Sequence, residues 1–203
     1  MIGDKLVFLK EHTQKAKKIL KYFLKDYKAG AKYIITIGGE AGTGKTEIAV
    51  RLRGLFYDND IKSLIINTDD YYKTKWSERQ EVRERTNIIG KKEIDWDKLN
   101  SVVTATKTEF YSSLITQKIN KYTDSIEKHI IDNDHIDVVI VEGLYALFLK
   151  NVDLHVFLKE TYRQTQKFRA RRNKEPQSSF RNKVLLKEQK DVQKTKKYAD
   201  LII

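Results

Sequence analysis

The apolar positions of this chain fall into short continuous runs separated by stripes with helical spacing. Between residues 4 and 28, Leu6, Leu9, Thr13, Ala16, Leu20, Phe23 and Tyr27 recur at intervals of three and four with lysines between them, which predicts one amphipathic helix. The stripe covers too few heptads for a coiled coil, so segment 1–30 is expected to pack on the protein's own surface. Ala29 and Gly30 end it. Tyr33, Ile34, Ile35 and Ile37 then make a run typical of a buried strand, and Lys45–Tyr57 reads as a helix closed by Asp58, Asn59 and Asp60. Further strands are expected at Ser63–Asn67, at Asp137–Val141, at Asp153–Leu158 and at Tyr198–Ile203. Strands alternating with helices specify an α/β architecture: a five-stranded, mainly parallel sheet covered on both faces in three α/β/α layers, with right-handed crossovers.

Two regions depart from that alternation. Residues 73–134 read as an insert, with a charged helix near Trp76–Thr86 and a second one capped by Asp95. Ile115–Ile131 fits a hairpin or a helix, because Ile115, Ile119, Tyr122, Ile126 and Ile130 also satisfy a 3.6-residue repeat. After the fourth strand, Tyr162–Lys174 is a basic helix carrying Arg163, Lys167, Arg169, Arg171 and Arg172, broken by Pro176, and Arg181–Lys197 is a second basic helix. Two basic helices joined by a mobile link suit an arginine-rich lid over residues 163–190; the alternative is a solvated helical face.

The 203 residues suffice for one domain with a sizeable core. Neither a long apolar run nor a signal-like N-terminus is present, so a cytoplasmic protein without membrane association is expected. Cysteine is absent, and His12, His129, His135 and His155 lack metal-ligand spacing. The net charge of +12 would suggest nucleic acid, but it is unevenly placed: residues 1–30 hold 8 lysines against 3 acids and residues 150–199 hold 15 basic against 5 acidic residues, while the middle is slightly acidic. A lysine-rich solvated surface accounts for this, and nucleic acid is not the expected partner.

The chemistry begins where the first strand ends. Gly39, Glu40, Ala41, Gly42, Thr43, Gly44, Lys45 and Thr46 spell G-x-x-x-x-G-K-[ST] between a strand and a helix. Glycines let successive N–H groups turn inward on phosphate oxygens, and the helix N-terminus adds a favourable dipole. Lys45 can reach the outer phosphates, and the Thr46 hydroxyl can ligate the accompanying magnesium ion. Glu142 at the tip of the third strand is the expected Walker B carboxylate and the partner of Thr46. The segment Thr68-Asp69-Asp70-Tyr71-Tyr72 leaves the second strand at its carboxyl end, where open α/β sheets bind ligands.

From Tyr33 to Ile203 the chain resembles the uridine kinase and phosphoribulokinase-like group of P-loop kinases. The resemblance rests on GGEAGTGKT, TDDYY, IDWDKL, VVIVEGLYAL, the arginine-rich helix and KYADLII. It implies a P-loop NTPase fold for residues 31–203, with a substrate-binding insert and a lid. It further implies ATP and Mg2+ as cofactors, Asp69 as general base, Tyr72 near the acceptor, Thr46 and Glu142 at the metal, and Arg169 and Arg172 as lid arginines. Asp70 competes with Asp69 for the role of base. Tyr122 stands where the family has a tyrosine that reads the pyrimidine, but Thr123, Asp124, Ser125, Ile126 and Glu127 follow it where the family has a histidine and an arginine. Ile89-Gly90-Lys91-Lys92-Glu93 likewise replaces a His-Pro-Asp-like run.

The expected activity is therefore transfer of the ATP γ-phosphate to a hydroxyl of a small molecule, with a nucleoside as the first acceptor. A sugar phosphate, a vitamin precursor or a nucleic-acid end are the rivals within the enzymes. A nucleotide-switched module that binds nucleic acid is the rival from another class. A guanine-reading Asn-Lys-x-Asp motif is missing, because Asn120-Lys121-Tyr122-Thr123-Asp124 is one residue too long. A homo-oligomer is left open.

Overall fold

A computed structural model describes residues 1–108, 112–173 and 178–203. Five strands, β1 (Tyr33–Gly39), β2 (Ser63–Asn67), β5 (Val138–Glu142), β6 (Leu154–Leu158) and β7 (Leu201–Ile202), form one sheet in the order β2-β5-β1-β6-β7 with every neighbouring pair parallel. Side chains alternate across it. Ile35, Ile37, Val138, Ile140 and Val156 face α1 (Lys10–Phe23) and α2 (Lys45–Tyr57), where they meet Ala16, Ile19, Phe23, Leu52 and Phe56. Ile34, Val139, Val141 and Phe157 face the other way, onto Leu99 and Val103 of α4 (Trp96–Thr106) and Val192 of α6 (Ser179–Thr195). Covering on both faces is why the strands read as unbroken apolar runs rather than as alternating ones. This is the three-layer P-loop fold, and its sheet is wholly parallel.

The N-terminal helix is shorter than its stripe predicts. It starts at Lys10, and the backbone near the N-terminus pairs elsewhere: Ile2 N–H donates to Ile119 O at 2.9 Å, and Ile2 O accepts from Lys121 N at 3.2 Å. Pairing with a strand edge satisfies the backbone groups that a longer helix would have used internally, so residues 1–9 form an arm. Within the helix, His12, Ala16, Ile19 and Phe23 form the buried line; Leu20, which the sequence placed on the stripe, is only partly buried. The helix packs on α2 and so belongs to the same core as the sheet.

The insert holds α3 (Arg79–Thr86), α4 and an antiparallel hairpin of β3 (Ser113–Asn120) and β4 (Ser125–Asp132). Asp95 caps α4, accepting from Lys98 N at 3.1 Å. The hairpin prevails over the helix because each half carries three β-branched residues, Ile115, Thr116 and Ile119 in one and Ile126, Ile130 and Ile131 in the other, and Asp124 takes the left-handed conformation (φ 49°) that closes the turn. The two basic segments are α5 (Gln166–Arg172) and α6. Pro176, expected to break them apart, lies outside the described residues. Among the described residues no helix is long and apolar enough to cross a membrane.

On β6, His155 Nδ1 lies 2.7 Å from Thr36 Oγ1 on β1. Burial holds its pKa below the ordinary 6.5, with Asp200 opposing. The unfolded chain therefore takes up a proton before the folded one does, so this histidine's stability contribution is present above pH 6.5 and is lost as the pH falls below it. Denaturant unfolding followed from pH 7.5 to pH 5 should show a falling stability, with a shallower slope in His155→Gln. An unchanged slope in the variant would remove His155 from the account.

Candidate active site

The loop between β1 and α2 wraps around its own lysine. Lys45 Nζ donates to Gly39 O at 2.9 Å and to Glu40 O at 2.8 Å, and the ammonium is held at the base of the loop. Gly44 caps α2 in the left-handed region (φ 80°), and a Cβ there would collide with His12 of α1. Gly42 (φ 81°) has the Arg169 stem lying where its side chain would be. Glycine at these two positions therefore serves the turn and also the approach of the helices that cover it.

The side chain of Glu40 points out of the loop. It accepts from Tyr162 N at 2.7 Å, from Gln189 Nε2 at 3.1 Å and from Gln193 Nε2, and is almost wholly buried. Its backbone belongs to the loop after β1, while its carboxylate ties that loop to the segment before α5 and to α6.

Opposite Lys45, the last residue of β5 supplies the second carboxylate. Glu142 Oε1 accepts from Thr46 Oγ1 at 2.9 Å, as expected of the pair, and its register with Ile37 on β1 and Asn67 on β2 places it at the carboxyl edge of the sheet. A hydroxyl and a carboxylate are hard oxygen donors, and two protein donors suit magnesium, which keeps much of its water and takes phosphate oxygens besides. The donor set fits Mg2+.

The neighbouring acids after β2 are separated by their surroundings. Asn67 Oδ1 accepts from Asp69 N at 2.7 Å and starts a tight turn, which directs Asp69 into the cleft that also contains Lys45, Thr46 and Glu142. Asp70 points the other way. Its Oδ1 accepts from Ile119 N at 2.9 Å, it is 3 % exposed, and burial raises its pKa. It supports the hairpin, while Asp69 faces the cleft.

The cleft encloses about 810 Å³, open in part to solvent. Tyr72 lines it, with burial raising the pKa of its hydroxyl. From α5 come Arg169, whose Nη2 donates to Tyr162 O at 2.9 Å, and Arg172, whose Nε lies 3.3 Å from both Glu47 Oε1 and Lys5 O. Tyr122 is not brought to the site: it sits in the β3–β4 turn, 82 % exposed, and does not line the cleft. A hairpin carries its turn residues to the outer tip, and Tyr122, expected at the substrate, sits there rather than with Asp69 and Tyr72.

Sequence reasoning missed the far wall. Arg83 Nε and Nη2 grip Glu93 at 2.6 and 3.1 Å, Arg83 Nη2 lies 3.4 Å from Glu188, and Arg181 Nη1 lies 3.4 Å from both Glu188 oxygens. Buried charges must be matched in this way, and breaking one partner away would be costly. One signal was available: Val184, Leu185, Glu188 and Val192 share a helical face, so Glu188 is an acid on an apolar stripe and needs a cationic partner.

A family model described as "Phosphoribulokinase / Uridine kinase family" matches residues 34–172. The bifunctional alpha-galactosidase/sucrose kinase AgaSK of Mediterraneibacter gnavus is 30% identical over 210 residues; the match covers 96% of this chain, which spans only 22% of that protein. Among solved structures, a possible uridine kinase from Bacillus stearothermophilus superposes with a TM-score of 0.64 at 19% identity, covering 94% of this chain and 98% of that one. The phosphoribulokinase of Rhodobacter spheroides gives 0.63 at 11% identity over 84% and 69% of the two chains. The structural likenesses concern the fold. With the loop, the carboxylate at the β5 tip and the matched span together, the chain belongs to the phosphoribulokinase / uridine kinase family of P-loop kinases.

Proposed function

We propose that this protein is a kinase that uses ATP and Mg2+ to phosphorylate a hydroxyl of a sugar. The observation that carries the reading is the single cleft in which Asp69 faces Lys45, Thr46 and Glu142. The amides of residues 39–46 would bind the β- and γ-phosphates, with Lys45 adding positive charge. Thr46 and Glu142 would hold magnesium, which when bound offsets negative charge on the phosphate oxygens. Asp69 orients the acceptor hydroxyl and accepts its proton as the phosphoryl group moves, a role that needs no raised pKa because bond formation acidifies the hydroxyl. Arg169 and Arg172 supply further charge from the lid, and Tyr72 forms the acceptor wall.

The sugar replaces the nucleoside expected from the sequence for two reasons. A bifunctional relative whose name includes a sucrose kinase aligns with nearly the whole chain. In addition, Glu93, in the segment that departs from the nucleoside kinases, is committed to Arg83 and serves the architecture of the wall.

An ADP-release assay with ATP and magnesium over saccharides, nucleosides and vitamin precursors tests the reading. Saturable ADP release with a saccharide is the expected result. Turnover of nucleosides alone would overturn the sugar acceptor, and acceptor-independent ADP release would overturn the kinase.

A further inference from the structure

The cleft does not end at Tyr72. A second recess of about 690 Å³, open in part to solvent, lies beyond it, and Arg79 and Arg181 line both spaces. Trp76, Ser77, Gln80 and Phe180 also line the outer one. Arg79 is the unusual member. It is 5 % exposed, its guanidinium lies 3.6 Å from the Tyr72 ring centre and 5.1 Å from that of Trp76, and its Nε and Nη2 have no hydrogen-bond partner among the described residues. Those two nitrogens share one edge of the guanidinium and present parallel N–H donors. Buried donors of this kind are rarely left unpaired, because the loss of water is uncompensated. The neighbouring Arg83 and Arg181 meet Glu93 and Glu188, so the unanswered hydrogen-bonding capacity is concentrated on the Arg79 edge.

We propose that the outer cavity is a second saccharide subsite, and that the acceptor is a disaccharide or longer glycan. Its reacting ring would lie at Asp69, and its second ring would lie in the outer cavity with two adjacent oxygens on the Arg79 edge. This rests on the reading of the protein as a sugar kinase. A pyranose or furanose ring has apolar C–H faces and hydroxyl edges, and the outer cavity offers Trp76 and Phe180 for the faces and Arg79, Ser77 and Gln80 for the edges. A phosphate at the same place would meet two aromatic rings and would leave the uncharged groups unused.

The test compares sucrose, maltose and lactose with glucose and fructose in the wild-type enzyme, Arg79→Ala, Arg79→Lys and Phe180→Ala. In the wild type, kcat/KM for the best disaccharide should exceed that for the best monosaccharide by roughly tenfold or more, since paired hydrogen bonds to a built site discriminate strongly. Arg79→Ala should lower disaccharide kcat/KM by about 30-fold or more and shrink the preference over monosaccharides about tenfold, with the KM for ATP held within about threefold. Arg79→Lys should not restore the preference, because an ammonium lacks the parallel donors. Phe180→Ala should also shrink it, which keeps the test available if Arg79→Ala does not fold. Equal losses on both sugar classes, or no loss, would overturn the subsite. Turnover of monosaccharides alone would overturn it and leave the sugar-kinase reading standing; nucleoside turnover with none of the five sugars accepted would overturn both.

Discussion

Asp69→Asn lowers kcat on the true acceptor by roughly 10²–10⁴-fold, the range for losing a positioned general base, while ATP affinity stays within about threefold. Asparagine keeps the shape and can still accept the acceptor hydroxyl's hydrogen bond, but it cannot take the proton. Steady-state kinetics and a nucleotide-binding titration together read the split. Asp70→Asn is the matched control, and its effect should differ in kind. That side chain accepts from Ile119 N and is buried against the hairpin, so its replacement should change stability before chemistry. If Asp69→Asn retains most of its turnover, or if Asp70→Asn shows the larger kcat loss at unchanged stability, the proposed base is wrong.

Phe23→Ala destabilises the protein by about 3–5 kcal/mol, as for other fully buried phenylalanines. For a chain of this size that is roughly a 6–20 °C fall in melting temperature, at roughly 2–4 °C per kcal/mol. The size of the effect follows from where the ring sits. Phe23 is fully buried, with ring centres of Tyr27, Tyr33 and Phe56 within 4.5–4.9 Å for Tyr27, Tyr33 and Phe56 alike, and thus joins α1, β1 and α2. Urea unfolding gives the free energy directly. A loss below about 1 kcal/mol, the scale of a surface substitution, would mean that the N-terminal helix is an appendage and not part of the core.

What could be read from the sequence follows the range of the interactions involved. The bounds of α2 and β2 agree with expectation because they depend on neighbours in sequence: a glycine turn before one, Asp58-Asn59-Asp60 between them, and apolar residues with the right period. The Thr46–Glu142 pair was also legible, since a loop after one central strand and the tip of its sheet neighbour must lie side by side. Reading failed where a distant partner decided the outcome. The spacing of Leu6 and Leu9 is helical, yet the edge of β3 captured the backbone of Ile2. The hairpin was hidden because isoleucines at 115, 119, 126 and 130 satisfy two periods at once. The wall of Arg79, Arg83, Glu93, Arg181 and Glu188 draws on three stretches of chain, and no local pattern announces it. Which of Asp69 and Asp70 faces the cleft likewise depends on Asn67 and on Ile119, a residue 49 positions away from Asp70.

Glu40 couples two parts of the site that could otherwise change separately. Because one carboxylate in the loop receives the Tyr162 amide and both α6 glutamines, the segment before α5 and the helix α6 are both fixed to the loop after β1. Variation in this protein is thereby channelled. The outer cavity and the exposed faces of α5 and α6 can be rewritten, but a change of length between Tyr162 and Gln193 must return the same three donors to Glu40 or it will distort the loop itself. The rim of the cleft can drift while the loop beneath it is held to one design.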